Sequence, residues 1–171
     1  IMGDVEDGFK VCSRKDIRIN GLVGASDIEA EGDILIAGGC NGKGKSTISC
    51  SGNFETKYLN ECYVKCRGDI TVRNEIISSD IECLGKVSAR IGSVRGGRLR
   101  AKKGIEALDI GSDMGVKTVL IPGDDYELNE KCSAIDREIV SINNEVEQVS
   151  KMILPLLKDK DMITKLPEEQ K

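Results

Sequence analysis

The segment most suggestive of chemistry is residues 39–46, which read Gly-Cys-Asn-Gly-Lys-Gly-Lys-Ser. Its glycines and its Lys-Ser end match a P-loop, in which backbone amides and a lysine hold the phosphates of a nucleotide. A P-loop requires a helix to begin at the Lys-Ser end, because the helix N-terminus supplies the amides and dipole that bind phosphate. Here Ser46 is followed by Thr-Ile-Ser-Cys-Ser-Gly, which alternates as a strand does. The context predicts a Gly-rich insertion between two coils and no nucleotide site.

Seven cysteines and no histidine form the second set of residues that could do chemistry. Cys50, Cys66 and Cys83 are separated by 16 and 17 residues. Cys62 and Cys66 have a spacing that could begin a zinc site, but the other ligands would have to be thiolates from other coils. Free cysteine inside a protein usually behaves as a small hydrophobic residue, and an odd count favours reduced thiols. We therefore predict buried, reduced cysteines and no metal site.

A third candidate is a recurring polar position occupied by Asp16, Asp33, Asn53 and Asp69. A column of carboxylates could bind calcium. Glycine directly precedes the last three of these residues, and Gly followed by Asp or Asn is typical of sharp turns, since these residues accept a positive φ. We therefore predict that they form corners of the fold and do not hold a cation.

All three candidates belong to a repeat that must position them. Six segments share an aliphatic residue, a small residue two positions later and another aliphatic residue six positions later; they begin at Val11, Ile28, Ile48, Val64, Ile81 and Leu99. The spacings of 17, 20, 16, 17 and 18 predict coils that stack on one another. Because residues i and i+2 of a strand share a face, the aliphatic and small positions both point to the interior.

Two further columns follow from this alignment. The small interior column is Ser13, Ala30, Cys50, Cys66, Cys83 and Ala101, and the next strand of each coil supplies Ile17, Ile34, Phe54, Ile70, Val87 and Ile105. The predicted fold class is an all-β solenoid plus α, with a parallel β-helix of about six coils in residues 1–123. An aromatic content of only 3% suits the narrow interior of such a fold.

A different period begins after Pro122 and predicts a long coiled-coil helix in residues 124–171. Apolar residues alternate at intervals of four and three, which is the pattern of a coiled-coil seam. We call this set the helix seam; it comprises Leu128, Cys132, Ile135, Ile139, Ile142, Val146, Val149, Ile153 and Leu156. Asp124 or Asp125 is placed to cap the helix, and Pro155 should kink or end it. The residues beyond are highly charged, which predicts a frayed C-terminal end.

The seam predicts protein partners, self-association included, because an exposed apolar stripe of this length is unfavourable in water. A helix folded back on the β-helix is the alternative. A net charge of −4 with dispersed Lys and Arg gives no basic stripe for nucleic acid, and no apolar run is long enough for membrane insertion. The chain opens on Ile1 in mid-pattern, which suggests a piece excised from a longer protein.

Enzyme classes built on β-helices fit the sequence poorly. Aliphatic residues six apart are typical of acyltransferases with a left-handed β-helix. These enzymes typically use a histidine as general base, and this chain has none. The uneven coil lengths also break the strict six-residue repeat that such a fold requires. Polysaccharide-active β-helix enzymes need paired acid groups and usually aromatic platforms for sugar, whereas this chain has three Tyr, two Phe and no Trp. We predict no catalytic residue, no cofactor and no small-molecule substrate.

The repeated cassettes resemble those of the flagellar assembly protein A family. The resemblance rests on residues 28–34 (Ile-Glu-Ala-Glu-Gly-Asp-Ile), residues 64–70, the Gly-Lys-Gly-Lys insertion at 42–45 and the sequence Gly-Ser-Asp-Met-Gly-Val-Lys-Thr at 111–118. It covers about residues 8–157, and Asp113 stands where that family is expected to have proline. The cassettes are also similar to those of bactofilins and of the C-terminal domain of the division inhibitor MinC.

The resemblance implies a right-handed parallel β-helix with a helical hairpin, in a cytoplasmic bacterial protein. It implies a role in flagellar assembly and motility at the cell pole through protein contacts, and it implies no catalytic residues. The bactofilin and MinC likeness implies instead a self-assembling cytoskeletal or division protein. Each of these functions is a scaffold or protein-interaction role.

Overall fold

The computed structural model describes residues 1–158, with side chains described as far as Leu154. The chain divides into two compact units, of which the first is Ile1–Tyr126 and the second begins at Glu127. Residues 159–171, where a charged and frayed end is predicted, lie outside the described part. No helix in the described residues is long and apolar enough to cross a membrane.

The first unit is a parallel β-solenoid, as predicted, and every strand pairing in it is parallel. Its strands are β1 Lys10–Ser13, β2 Ile17–Ile19, β3 Leu22–Val23, β4 Asp27–Ala30, β5 Ile34–Ile36, β6 Gly39–Cys50, β7 Phe54–Cys66, β8 Ile70–Cys83, β9 Lys86–Ala101, β10 Gly104–Ile110 and β11 Thr118–Pro122. Each turn stacks on the previous one, so the interior is a set of columns.

The aliphatic column predicted from the repeat is confirmed and gains one member. The strand register joins Val11, Ile28, Ile48, Val64, Ile81 and Leu99 in one line and continues to Leu120. The solenoid therefore has about seven turns, and the prediction of six was one too few. Leu120 follows Leu99 by 21 residues because the segment between β10 and β11 interrupts the period.

A fourth interior column was missed by the sequence alignment. The register joins the buried residues Val5, Val23, Cys40, Leu59, Ile76 and Val94, and it continues to Ile110, which is exposed at the end of the solenoid. The interval from the column of Phe54 and Val87 to this one is uneven: Leu59 comes five residues after Phe54, but Val94 comes seven after Val87. Bulges between the two faces cause this unevenness, since the register shifts between Thr56 and Tyr58 and in neighbouring turns.

The recurring acidic position forms what we call the corner ladder, Asp16, Asp33, Asn53 and Asp69. The Oδ1 atom of each residue accepts a hydrogen bond from a backbone amide in the following turn, at 2.7–2.9 Å. The ladder ends at Lys86, whose amide donates to Asp69. The predicted corner role is thus confirmed, because the Oδ1 atom of each residue binds the backbone of the next turn.

The glycines of these corners are needed for a reason other than the one predicted. Gly32, Gly52, Gly68 and Gly85 do not have positive φ, so left-handed backbone does not explain them. A Cβ atom at Gly52 would overlap Oδ1 of Asp33, and one at Gly85 would overlap Oδ1 of Asp69. Glycine is required because the side chain of the previous turn occupies the space of a Cβ. Positive φ occurs instead at another corner, where Glu61 and Ser78 adopt φ of 50° and 44°.

The helix α1 spans Tyr126–Lys158; its first residue belongs to the first unit, and the rest is the described part of the second unit. It begins directly after Asp125, at the predicted place. The helix continues three residues past Pro155, so the prediction that it ends there is wrong, and the alternative of a kink stays a prediction. Proline removes one backbone donor from the helix at this position. The structure contains one helix in the described residues, and a coiled coil stays a prediction.

Candidate functional site

The P-loop-like segment lies within strand β6, whereas an insertion between two coils was predicted. The residues that follow Ser46 form a strand, as predicted. Residues 42–45 bulge outward opposite the single residue Glu61, because the register passes from Asn41 to Ser46 across this point. Ser46 is buried, and its hydroxyl donates a 2.7 Å hydrogen bond to the carbonyl of Ser26. A phosphate-binding serine would instead have to face the nucleotide and its metal ion.

Lys43 at the tip of this bulge is bound to an acidic side chain. Its ammonium group lies 2.5 Å from Oδ2 of Asp7. The hydrogen bond from Lys43, with one from the amide of Ala25, lowers the pKa of Asp7. The segment is therefore a surface bulge fastened by an exposed ion pair.

The Cys ladder, Cys50, Cys66 and Cys83, lies stacked in adjacent turns of the interior, as predicted. Cys66 and Cys83 each donate a 3.1 Å hydrogen bond to a glycine carbonyl of the preceding turn. The thiol of Cys50 donates to Sγ of Cys66 at 3.3 Å, and this contact with burial raises the pKa of Cys66 to about 12. The contact with Cys66, together with burial, raises the pKa of Cys83 as well. The thiols of Cys66 and Cys83 are therefore neutral at physiological pH.

Cys40 and Cys62 form a second buried pair. The contact with Cys62, followed by burial, raises the pKa of Cys40.

In the part of the chain that the structure describes, no group of three or more Cys, Asp or Glu side chains is placed to hold a metal ion. The zinc alternative for Cys62 and Cys66 therefore has no ligand set among these residues.

The helix seam is exposed along the described part of α1. The exposed fraction of its aliphatic side chains runs from 44% at Ile153 to 57% at Val146, and Cys132 is also exposed. The side chain of Leu156, the last residue of the seam, lies outside the described part. The seam is thus a continuous apolar stripe on a helix that spans about 50 Å at 1.5 Å per residue.

Tyr126 is a residue that the sequence analysis missed. It is the last residue of the first unit and is 2% exposed. Its hydroxyl donates a 3.5 Å hydrogen bond to the carbonyl of Cys66, and the ammonium of Lys65 lies 4.7 Å from its ring centre. The sequence carried one signal of this burial. A large aromatic residue directly follows Pro-Gly-Asp-Asp in a chain that has few aromatic residues.

Two ion pairs flank Tyr126 and involve the residues predicted to cap the helix. Arg100 lies 3.9 Å from the carboxylate of Asp124 and 3.4 Å from that of Glu82. Lys102 lies 2.8 Å from the carboxylate of Asp125. These contacts hold the segment after β11 against the solenoid turn that contains Arg100 and Lys102.

A second exposed apolar surface lies near the end of the solenoid and was also missed. Met114 is 91% exposed and Ile91 is 76% exposed, and Leu108 and Ile110 are exposed too. Met114 and Ile110 line an open groove of about 730 Å³ with Arg95. Ile91 and Leu108 sit at bulges in β9 and β10, where regular alternation fails, so their orientation was not readable from the sequence.

The chain matches the model of a known protein family. The family model of the Flagellar Assembly Protein A beta solenoid domain matches residues 1–171. No curated protein and no solved structure matches the chain. The match spans the solenoid, its corner ladder and the helix that carries the seam, and it agrees with the resemblance carried by the repeated cassettes. The chain therefore belongs to the flagellar assembly protein A family, through its β-solenoid domain.

Proposed function

We propose that the protein is a non-enzymatic cytoplasmic scaffold of bacterial flagellar assembly, acting at the cell pole, whose helix α1 is its association surface. Family membership supports the link to flagellar assembly. The observation that carries the scaffold role is the exposed helix seam, a single apolar stripe on a 33-residue helix. Partners bind along this stripe, and further copies of the chain are among them.

The energetics favour burial of the seam against another helix. Its aliphatic side chains are about half exposed, and burying the rest contributes roughly 1 kcal/mol each. A helix gains most of its stability from packing of an apolar face rather than from intrinsic propensity. Association therefore buries the apolar side chains of the seam and also stabilises α1 itself.

The side chains that could do chemistry have structural partners, which supports a non-enzymatic role. Lys43 is paired with Asp7 and Ser46 is bonded to Ser26. The thiols of the Cys ladder are buried, and the raised pKa of Cys66 and of Cys83 keeps those two thiols neutral, so they are poor nucleophiles. The corner ladder accepts backbone amides.

Light scattering beside circular dichroism tests the proposal. Wild-type protein should self-associate, and the triple variant Ile135→Asp, Ile139→Asp, Ile142→Asp should be monomeric with its β signal retained, since the solenoid has a separate core. Val140→Asp is the matched control, because Val140 is an exposed aliphatic residue of the same helix outside the seam. It should associate as the wild type does.

Two results would contradict the proposed role. A wild type that stays monomeric at high concentration would show that the helix is not a self-association surface. Loss of the β signal in the triple variant would show that the seam packs on the solenoid. Growth of long filaments that persist in the triple variant would favour the bactofilin-like alternative, in which the solenoid itself assembles.

A further inference from the structure

The chain from the end of β11 to the first helical residue is attached to the solenoid at every position. We call this segment the clasp, Gly123–Tyr126. The amide of Gly123 donates a 2.8 Å hydrogen bond to the carbonyl of Ala101. The two aspartates that follow form ion pairs with Arg100 and Lys102, and the tyrosine that ends the segment is 2% exposed. Four consecutive residues are thus fixed by contacts that lie inside the first unit.

Tyr126 has a double position in the chain, since it is the last residue of the first unit and also the first residue of α1. Its hydroxyl donates to the carbonyl of Cys66, which is 60 residues earlier in the sequence. The ammonium of Lys65 lies over its ring, where a cation is attracted to the aromatic face. The solenoid therefore sets the place of the residue at which the helix begins.

The helix needs such a starting point. Forming the first turn of an isolated helix fixes several residues for a single hydrogen bond, so the nucleation constant is only about 10⁻³. The composition of α1 does not offset this cost, because β-branched side chains such as those of Ile135, Ile139 and Val140 lose χ1 freedom in a helix. Holding the first helical residue and the three residues before it removes part of the cost of ordering the first turn.

We propose that the clasp makes the solenoid the nucleus of α1, so that the helix is ordered from Tyr126 outward and loses its first turns when the clasp is released. The order of these turns then depends on solenoid residues that the helix itself does not contain. This inference goes beyond the proposed function and holds whether or not α1 binds a partner, because every contact in it lies within one chain.

The variant Tyr126→Ala separates the clasp from intrinsic helix propensity, because the two predict opposite results. Alanine is the best helix former, so propensity alone predicts a more stable first turn in the variant. Release of the clasp instead predicts that the amides of residues 131–135 exchange with solvent about tenfold faster, with an effect that fades along the helix. Hydrogen exchange on the whole chain, at one dilute concentration for all variants, measures this difference.

Tyr58→Ala is the matched control. The ring of Tyr58 lies against Gly39, so this change removes the same side chain from the solenoid at a place outside the clasp. It should leave the exchange of residues 131–135 as in the wild type. An equal acceleration in both variants would overturn the proposal, because the helix would then respond to any loosening of the solenoid.

Two results for Tyr126→Ala itself would also overturn the proposal. Unchanged or slower exchange in residues 131–135 would show that the clasp does not order the first turns. Acceleration of the solenoid amides by the same factor as those of α1 would show that Tyr126 stabilises the solenoid as a whole and has no particular effect on the helix.

A change in the solenoid tests the clasp without altering the sequence of α1. The ammonium of Lys102 lies 2.8 Å from the carboxylate of Asp125. Lys102→Ala should accelerate the exchange of residues 131–135 about twofold, a small effect because ion pairs of exposed lysines are weak. Lys103→Ala removes the same charge from the next residue and should leave this exchange unchanged. An effect of Lys102→Ala no larger than that of Lys103→Ala would overturn the part of this ion pair in the clasp.

Discussion

Replacing Gly52 with alanine tests the central physical claim about the solenoid, that each corner glycine makes room for the side chain of the turn before it. The new Cβ would overlap Oδ1 of Asp33 and lie 2.8 Å from the carbonyl carbon of Gly32. Asp33 cannot simply move aside, because that same oxygen accepts the amide of Asn53 at 2.7 Å. The backbone or the hydrogen bond must yield.

The expected cost follows from these two contacts. Forcing an extra carbon into a filled site costs about 1–3 kcal/mol, and losing a hydrogen bond to a charged group costs about 1.5–3 kcal/mol when the site is dry. Asp33 is exposed, so water replaces part of that bond. We therefore expect Gly52→Ala to lower the free energy of unfolding by about 2–4 kcal/mol.

A double-mutant cycle shows whether the clash is with Asp33. Asp33→Ala alone should cost about 1 kcal/mol, the usual net value of a hydrogen bond. Because it removes the oxygen that the new Cβ meets, Asp33→Ala together with Gly52→Ala should cost clearly less than the two single changes added together. Gly3→Ala is the control, since its Cβ meets nothing within 4 Å and its φ is not positive.

Urea unfolding followed by circular dichroism measures these values, with hydrogen exchange at the Asn53 amide as a local readout. Hydrogen exchange is informative because a solenoid turn is stabilised mainly by its neighbours. The loss of protection should therefore be concentrated in the two turns that contain Asp33 and Asn53. An unchanged unfolding midpoint for Gly52→Ala, or strict additivity in the cycle, would refute the explanation of the corner glycines.

Three further predictions concern the side chains that resemble chemical sites. Lys45→Ala should leave the unfolding midpoint within experimental error, and neither protein should bind ATP; saturable micromolar binding lost in the variant would restore the P-loop interpretation. The Cys ladder should react with a maleimide only as fast as the protein unfolds, while Cys12 and Cys132 react at once. Since its pKa is raised to about 12 from an ordinary value of 9.0, neutral Cys66 stabilises the fold fully below pH 9, and this contribution is lost as pH rises toward 12. Cys66→Ala should flatten that alkaline loss, and an equally steep loss in the variant would contradict the assignment.

The interior of the solenoid was largely predictable because its rule is local. Alternation in a strand places residues i and i+2 on one face, so Ile48 and Cys50 share the interior whatever surrounds them. The same local rule argued against a P-loop, since the residues after Ser46 alternate as those of a strand do. The fourth column was not predictable in this way, because bulges change the interval between Phe54 and Leu59 relative to that between Val87 and Val94.

The helix seam was likewise readable from spacing alone, since positions four and three apart share one side of any helix. The sequence by itself therefore determined the repeat, three interior columns and the apolar stripe of α1. Only the tertiary structure decided that Gly52 is required by Asp33 rather than by its own φ, and that Tyr126 is buried against the Cys66 carbonyl. Such contacts join residues many positions apart, and no local period encodes which atoms will meet when the turns stack.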